Sequence, residues 1–345
     1  MRHLGMFFAA LCAVVFVIST IVVLLLFNIE AKAFSSATYK RAFEDQGLYQ
    51  RIPEIMADTL TAYVAQNGSA VPFLQVLSPT DWQSSIALLI PPEELKQMGD
   101  NALDATFDYL NGRTNSATLS LVPVKTRLAG DAGMQIVLQI LQRQPACTPE
   151  QLAQMALGLS GGQVTLCNPP PEAMGLMAPF LQTQLQAMVA LFPNEVTFIP
   201  GTASGTPADP RVKLKAARSA IKLTPFIPVF FLFGIAVFAV RSLMDWLTWW
   251  GWSFMVAGGG SVLAGLFGAP VVGGILGFVI QTQGSALIPP ALASSIAQTA
   301  RAVAGEMLAP VVIQGFVLGF IGLGMAIAAA LLTVRAKSQA IPPAY

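Results

Sequence analysis

Apolar and polar positions along the chain fall into one long apolar stretch, a long mixed segment, and three further apolar stretches. The first stretch runs from Met6 to Phe27 and meets nothing more polar than Ser19 and Thr20. A helix needs about 20 apolar residues to cross bilayer hydrocarbon, and this stretch supplies them. The second, Pro225 to Val240, is short and opens with Pro225 and Pro228, which a first helical turn tolerates. The third, Trp252 to Ile280, is overlong and glycine-rich, and the fourth, Pro310 to Val334, is uninterrupted. Crossings at all of these return the chain to its starting side. The pattern predicts a mainly α membrane protein. It has an N-terminal anchor over residues 1–28, a central domain over 29–223, a three-helix membrane region over 224–334 and a tail over 335–345.

A cleavable signal peptide has a shorter apolar core. Ala31-Lys32-Ala33 would admit cleavage after Ala33, but the long run and its charged flank, Glu30 and Lys32, favour an uncleaved signal anchor.

The central segment reads as short helices with their own start signals. Ser78-Pro79-Thr80-Asp81 gives an N-cap, a first-turn proline and a first-turn acid. Thr148-Pro149-Glu150-Gln151 repeats the device with Gln151 in capping-box position. Pro91-Pro92-Glu93-Glu94 opens a helix carrying Leu95, Met98, Leu103, Phe107 and Leu110, and Met134–Leu141 and Ala178–Leu191 continue the style. Ala117 to Val124, with Leu119, Leu121 and Pro123 alternating, is the one extended run. The segment is long enough for its own core.

In the membrane region, Gly260, Ala264 and Gly268 are spaced by four, as are Gly273 and Gly277, and Gly315 and Gly319. Small residues at that spacing let helix backbones approach closely, against each other or a second copy. Pro270 is expected to kink the third crossing. Trp246, Trp249, Trp250 and Trp252 cluster between the second and third crossings, at the headgroup level that indoles prefer. Arg241 and Asp245 beside them are placed to pair. Arg211, Lys215, Arg218 and Lys222 line one stripe next to Leu214, Ala217 and Ile221. That helix either lies at the interface with its cations on lipid phosphates or is an ordinary basic helix ahead of a crossing. A further amphipathic helix is predicted at about 289–307, with Leu292, Ile296, Val303 and Met307 on one side and Ser294, Gln298, Arg301 and Glu306 around the rest. No charge falls inside the four apolar stretches, and Gln314 is the strongest polar group of the fourth. Ion pumps and coupled carriers usually keep ionisable groups there, so this composition argues against transport.

Composition adds the compartment. Only 11% of the 345 residues are charged and the net charge is +1, which recruits neither nucleic acid nor an acidic partner. With the N-terminus inside, Arg2, Arg241, Arg335 and Lys337 are cytoplasmic, whereas Lys32, Lys40, Arg41, Arg211, Lys213, Lys215, Arg218 and Lys222 are outside. The raw count opposes the positive-inside rule, but long segments translocate largely regardless of charge. Cys147 and Cys167 decide for an extracytoplasmic central domain, because a proline-flanked pair with no His partner reads as a disulfide, and disulfides persist outside the cytoplasm. Two unpaired core cysteines are the alternative. Cys12 lies in the first apolar stretch as packing or lipid-facing material.

Candidate chemistry is sparse. His3 is the single histidine, which leaves no Cys-His or Ser-His site and no His-based metal set. Glu54 and Asp58 share a helix face, as a carboxylate pair for acid–base work or, more simply, a solvated surface. Asp100, Asp104 and Asp108 form a straight stripe that does not converge as calcium ligands do. Gly158-Leu159-Ser160-Gly161-Gly162 lacks the Lys-Ser/Thr of a phosphate loop, and Asn67-Gly68-Ser69 reads as a turn that happens to match a sequon. No catalytic, cofactor or metal residue is assigned, and no cofactor is expected.

Several stretches carry a resemblance: Tyr39-Lys40-Arg41 with Tyr49-Gln50-Arg51-Ile52-Pro53, Leu77-Ser78-Pro79-Thr80-Asp81-Trp82, Leu89-Ile90-Pro91-Pro92-Glu93, Tyr109-Leu110-Asn111-Gly112, Pro145-Ala146-Cys147-Thr148-Pro149-Glu150-Gln151-Leu152, Cys167-Asn168-Pro169-Pro170 and Val240-Arg241-Ser242-Leu243-Met244-Asp245-Trp246. They resemble bacterial integral membrane proteins of Chloroflexi-type genomes, over most of the chain up to the tryptophan cluster. The resemblance implies a membrane protein with an outer domain; it brings no activity and no site residues. The function expected is non-catalytic: a multi-pass cell-membrane protein whose outer domain binds a protein, lipid or envelope component. Its partners are the lipid bilayer and a protein partner or second copy at the glycine faces, with no nucleic acid. A subunit of a larger membrane complex and an envelope hydrolase using carboxylates are the alternatives.

Overall fold

The computed structural model describes residues 2–67, 75, 77–157, 167–201, 209–283 and 290–339. The fold is mainly α. Among the described residues four helices are long and apolar enough to cross a membrane: Leu4–Ala33, Arg211–Ala239, Leu243–Val279 and Ser294–Arg335. The chain divides into two compact units, one built from Met1–Ala42, Ala203–Leu287 and Ala293–Tyr345, the other from Phe43–Thr202 and Ile288–Leu292. The main segment of the second unit, Phe43–Thr202, begins and ends inside the 29–223 range expected from sequence, because the chain on both of its flanks groups with the long helices.

The first unit holds α1 (Arg2–Ala33), most of α2 (Ser36–Asp45), α10 (Pro210–Leu223), α11 (Phe226–Ala239), α12 (Leu243–Gln283) and most of α13 (Pro290–Gln339). α1 packs against α11 and α12 around Phe16, Ile235 and Ala257, with Phe231, Trp250, Phe254 and Leu318 closing the cluster. A Cβ on Gly234 would lie 3.0 Å from the Cys12 sulfur, so glycine admits the Cys12 side chain between α1 and α11. Outward faces stay bare: Phe7, Leu11 and Ile18 on α1, Phe230 and Phe233 on α11, Leu266 and Phe267 on α12, and Phe320 and Leu331 on α13 are all exposed. Apolar surface on that scale is far beyond what a soluble monomer shows, and lipid covers it without cost.

α13 differs from the sequence reading. The amphipathic segment and the fourth crossing are one 50-residue helix running through Pro310, not two elements. Proline withholds one backbone hydrogen bond, but Leu308 and Val311 on either side are buried and hold the helix together. At 1.5 Å per residue the helix is about 75 Å long, against about 30 Å of hydrocarbon. Arg301 and Glu306 therefore sit on the same helix as the crossing, as Glu30 does on α1. α12 likewise continues through Pro270. The second crossing is also longer than Pro225–Val240, because α10 and α11 run on with only a two-residue turn at Thr224–Pro225.

The second unit holds α3 (Leu48–Asn67), α4 (Pro79–Leu89), α5 (Pro92–Leu110), β1 (Ala117–Ser120), α6 (Val122–Ala129), α7 (Asp131–Gln142), α8 (Pro149–Leu157), α9 (Pro171–Leu191) and β2 (Glu195–Ile199). The extended run stops at Ser120, and Pro123 starts α6, since a proline in the first turn forgoes no helical bond. β1 pairs antiparallel with β2, matching Leu119 to Val196 and Ser120 to Glu195.

Candidate functional site

The second unit carries a groove of about 790 Å³ beside the disulfide. Its construction starts from two sequence segments brought together. Cys147 and Cys167 are disulfide-bonded with Cα atoms 4.9 Å apart. The Cys147 amide donates to the Asn168 carbonyl at 3.0 Å, and the Asn168 amide donates to the Pro145 carbonyl at 2.8 Å. The crosslink closes a loop of sequence separation 20, worth about 3 kcal/mol in the chain-entropy account.

Three helices radiate from this clamp. α7 presents Leu138 and Gln142, α8 presents Leu152, and α9 presents Met174, Gly175 and Ala178. Pro149, Pro169, Pro170 and Pro171 complete the wall with Asn168. Prolines carry no N–H and a fixed φ, so this part of the wall is rigid and offers no backbone donors. α8 is fixed at its start by a reciprocal capping box: the Gln151 side chain accepts from the Thr148 amide at 2.9 Å, and the Gln151 amide donates to the Thr148 hydroxyl at 3.3 Å.

α7 is held from behind by Asp81. The Arg143 guanidinium lies 2.7 Å from the buried Asp81 carboxylate, and Gln139 donates to the same oxygen at 3.4 Å. Asp81 also closes the α4 capping box with Ser78. The Ser78 hydroxyl and amide, together with Arg143, hold the Asp81 carboxyl at about 2 against the opposing effect of burial. Asp81 is thus ionised and fully engaged, and it fixes Gln139 and Arg143, the neighbours of the Leu138 and Gln142 positions that line the groove.

Among the described residues the groove wall has no charged side chain. Its polar groups are the side-chain amides of Gln142 and Asn168. α9 extends this character: from Ala173 to Asn194 the sequence has no charge. α9 buries Met177 and Val189, while Leu176 is 84% and Leu191 87% exposed, with Phe180, Met188 and Phe192 also bare. Val196 and Phe198 of β2 add to this exposed apolar surface. Lys125 locks the turn between α9 and β2, donating to the Phe192 carbonyl at 2.6 Å and to the Asn194 side chain at 2.7 Å. The sequence pattern marked Ala178–Leu191 only as a further helix; the signal for its exposed apolar face is the length of its run without charge.

The other candidate residues are placed as follows. Glu54 and Asp58 are both exposed on α3. Asp100 accepts from the Tyr49 hydroxyl at 3.3 Å and Asp108 pairs with Arg113 at 2.9 Å. Burial, with Asp100 and Glu44 nearby, pushes Tyr49 up to about 12. Among the described residues no group of three His, Cys, Asp or Glu is placed to hold a metal ion. The Gly158–Gly162 run, Gly68 and Ser69 of the sequon, and the side chains of Arg2, His3, Leu292 and Lys337 lie outside the described residues.

In the first unit, α12 and α13 run antiparallel with backbones close together. A Cβ on Gly258 would lie 2.6 Å from the Gly315 carbonyl oxygen, and the same site meets the Gly319 amide. A Cβ on Gly315 would lie 2.9 Å from the Gly258 carbonyl, and one on Gly322 would lie 2.7 Å from the Gly251 carbonyl. Gly260 faces Ile21 of α1, and Gly268 faces Leu308. Gly273 faces Arg301 at 3.0 Å, whereas at Gly277 the nearest atom is 3.9 Å away, on Ala297. Trp246, Trp249 and Trp250 are half-buried, with Trp246 and Trp250 rings 5.0 Å apart, and Trp252 is exposed. Arg241 and Asp245 do not pair: α12 begins only at Leu243, so their i,i+4 geometry never forms, and Ser242 accepts from the Asp245 amide at 3.1 Å instead.

No protein-family model, curated protein or solved structure matches this chain.

Proposed function

We propose that this chain is a non-catalytic, multi-pass cell-membrane protein, anchored by an uncleaved first helix, whose second unit stands outside the cytoplasm and binds an uncharged, apolar envelope component such as an acyl chain. The groove beside Cys147–Cys167 is the observation that carries this reading. Its volume lies in the range of small-ligand sites, and its two amides suit a carbonyl or hydroxyl at one end of an otherwise apolar ligand. The rigid proline wall lowers the ordering cost of binding. The disulfide supports an oxidising compartment.

A protein partner is the second reading, supported by the exposed Leu191, Phe192, Val196 and Phe198 surface. It makes the chain a subunit of a larger membrane complex.

A photo-crosslinking residue placed at Met174 in the full chain, in its native envelope, tests the groove. The expected adduct is a lipid or other apolar envelope molecule, lost when Ala178→Trp fills the groove. A protein adduct would favour the second reading. Crosslinking no greater than at exposed Thr59 would remove the groove as a binding site.

A further inference from the structure

The basic stripe of α10 divides into two pairs with different surroundings. Arg211 is buried and bidentate on Asp209, with Nε 3.0 Å from both carboxylate oxygens. Arg218 donates to the buried Glu30 carboxylate of α1 at 2.8 Å and lies 4.4 Å from the Phe34 ring centre. Lys215 and Lys222, on the same stripe, are exposed, and among the described residues neither is within ion-pair distance of a carboxylate.

Their depth follows from the antiparallel packing of α1 on α11 and α10. Gly5 lies against the Phe238 carbonyl, Cys12 against Gly234, and Glu30 against Arg218. From Gly5 to Glu30, α1 rises about 37 Å, slightly more than the roughly 30 Å of hydrocarbon. The Arg218 level is therefore the edge of the apolar layer. Lys215 stands about one turn beyond it and Lys222 about one turn within, where a lysine extends its ammonium toward the headgroups. Below Lys222, Leu223, Phe226, Val229, Phe230 and Phe233 are all exposed and require acyl chains around them.

We infer that Lys215 and Lys222 bind the phosphate of an anionic phospholipid, while Arg211 and Arg218 are fastened inside the protein. The inference rests on the membrane-spanning reading, which resistance to alkaline extraction tests separately.

The full chain is reconstituted in an equal mixture of phosphatidylglycerol and phosphatidylcholine and extracted mildly. Mass spectrometry then reads the lipid retained on the protein. Phosphatidylglycerol is expected to be enriched over the bulk ratio. Lys215→Gln with Lys222→Gln should cut that enrichment by roughly thirtyfold, the product of about fivefold for each lysine. The melting temperature in pure phosphatidylcholine should stay at the parental value. No enrichment in the parent, enrichment retained in the double variant, or enrichment abolished by competing inorganic phosphate at physiological ionic strength would each overturn the lipid site.

Discussion

Glu30 and Arg218 are 188 residues apart in sequence and 2.8 Å apart in the fold. The pair ties the end of α1 to α10, with the Glu30 side chain 7% and the Arg218 side chain 25% exposed. Removing one partner strands a desolvated charge on the other. Glu30→Gln should lower stability by roughly 2–4 kcal/mol, measured as thermal unfolding of the full chain in detergent. Exchanging both, Glu30→Gln with Arg218→Gln, should recover part of that loss. A single variant as stable as the parent would mean that water or lipid phosphate replaces the partner.

Asp81 predicts an acid-sensitive second unit. Its carboxyl is lowered from 3.8 to about 2 by Ser78 and Arg143. A lowered folded-state value stabilises above the ordinary value and is lost as pH falls through the lowered one. The contribution is therefore complete above about pH 4 and disappears toward pH 2. Because Arg143 is more than half exposed, screening limits it to on the order of 1 kcal/mol. Asp81→Asn should flatten the acid limb of a stability-against-pH curve monitored in the second unit. An unchanged acid limb would dismiss Asp81 as the titrating group.

The glycine faces are not equivalent. Gly258→Leu drives a side chain into the Gly315 and Gly319 backbone, which cannot yield as a flexible side chain would. It should cost roughly 1–3 kcal/mol or more. Gly319→Ala should be near neutral, since its own Cβ would meet nothing within 4 Å. Paired thermal melts check both, and equal melting of the Gly258 variant and the parent would place that face toward lipid.

The sequence displayed some of this more clearly than the rest. Cys147 and Cys167, each beside prolines, announced the crosslink, and the capping pairs Ser78/Asp81 and Thr148/Gln151 announced α4 and α8. β2 was missed because Glu195–Ile199 is short and gains its form from pairing with β1, far away in sequence. The helix-start value of Pro123 was hidden by the alternation of Leu119 and Leu121. The amphipathic segment at about 289–307 and the stretch from Pro310 looked like two elements, because nothing in the sequence shows that the helix continues through Pro310. On α12, close approaches to the α13 backbone recur at Gly251, Gly258 and Gly265, every seventh residue, so four-residue spacing picked out Gly315 on the facing helix but passed over all three. The groove had no local sequence signature, because its wall joins α7, α8 and α9, which are brought together by the disulfide clamp and by packing of α7 on α9.

A disulfide-stabilised binding unit outside the cytoplasm is checked by thiol labelling of intact cells. Cells are treated with a membrane-impermeant maleimide, before and after a membrane-impermeant reductant, and Cys147 and Cys167 are read by peptide mapping. Labelling of both only after reduction is the predicted result. Labelling without reduction, or labelling only after the membrane is permeabilised, would contradict it.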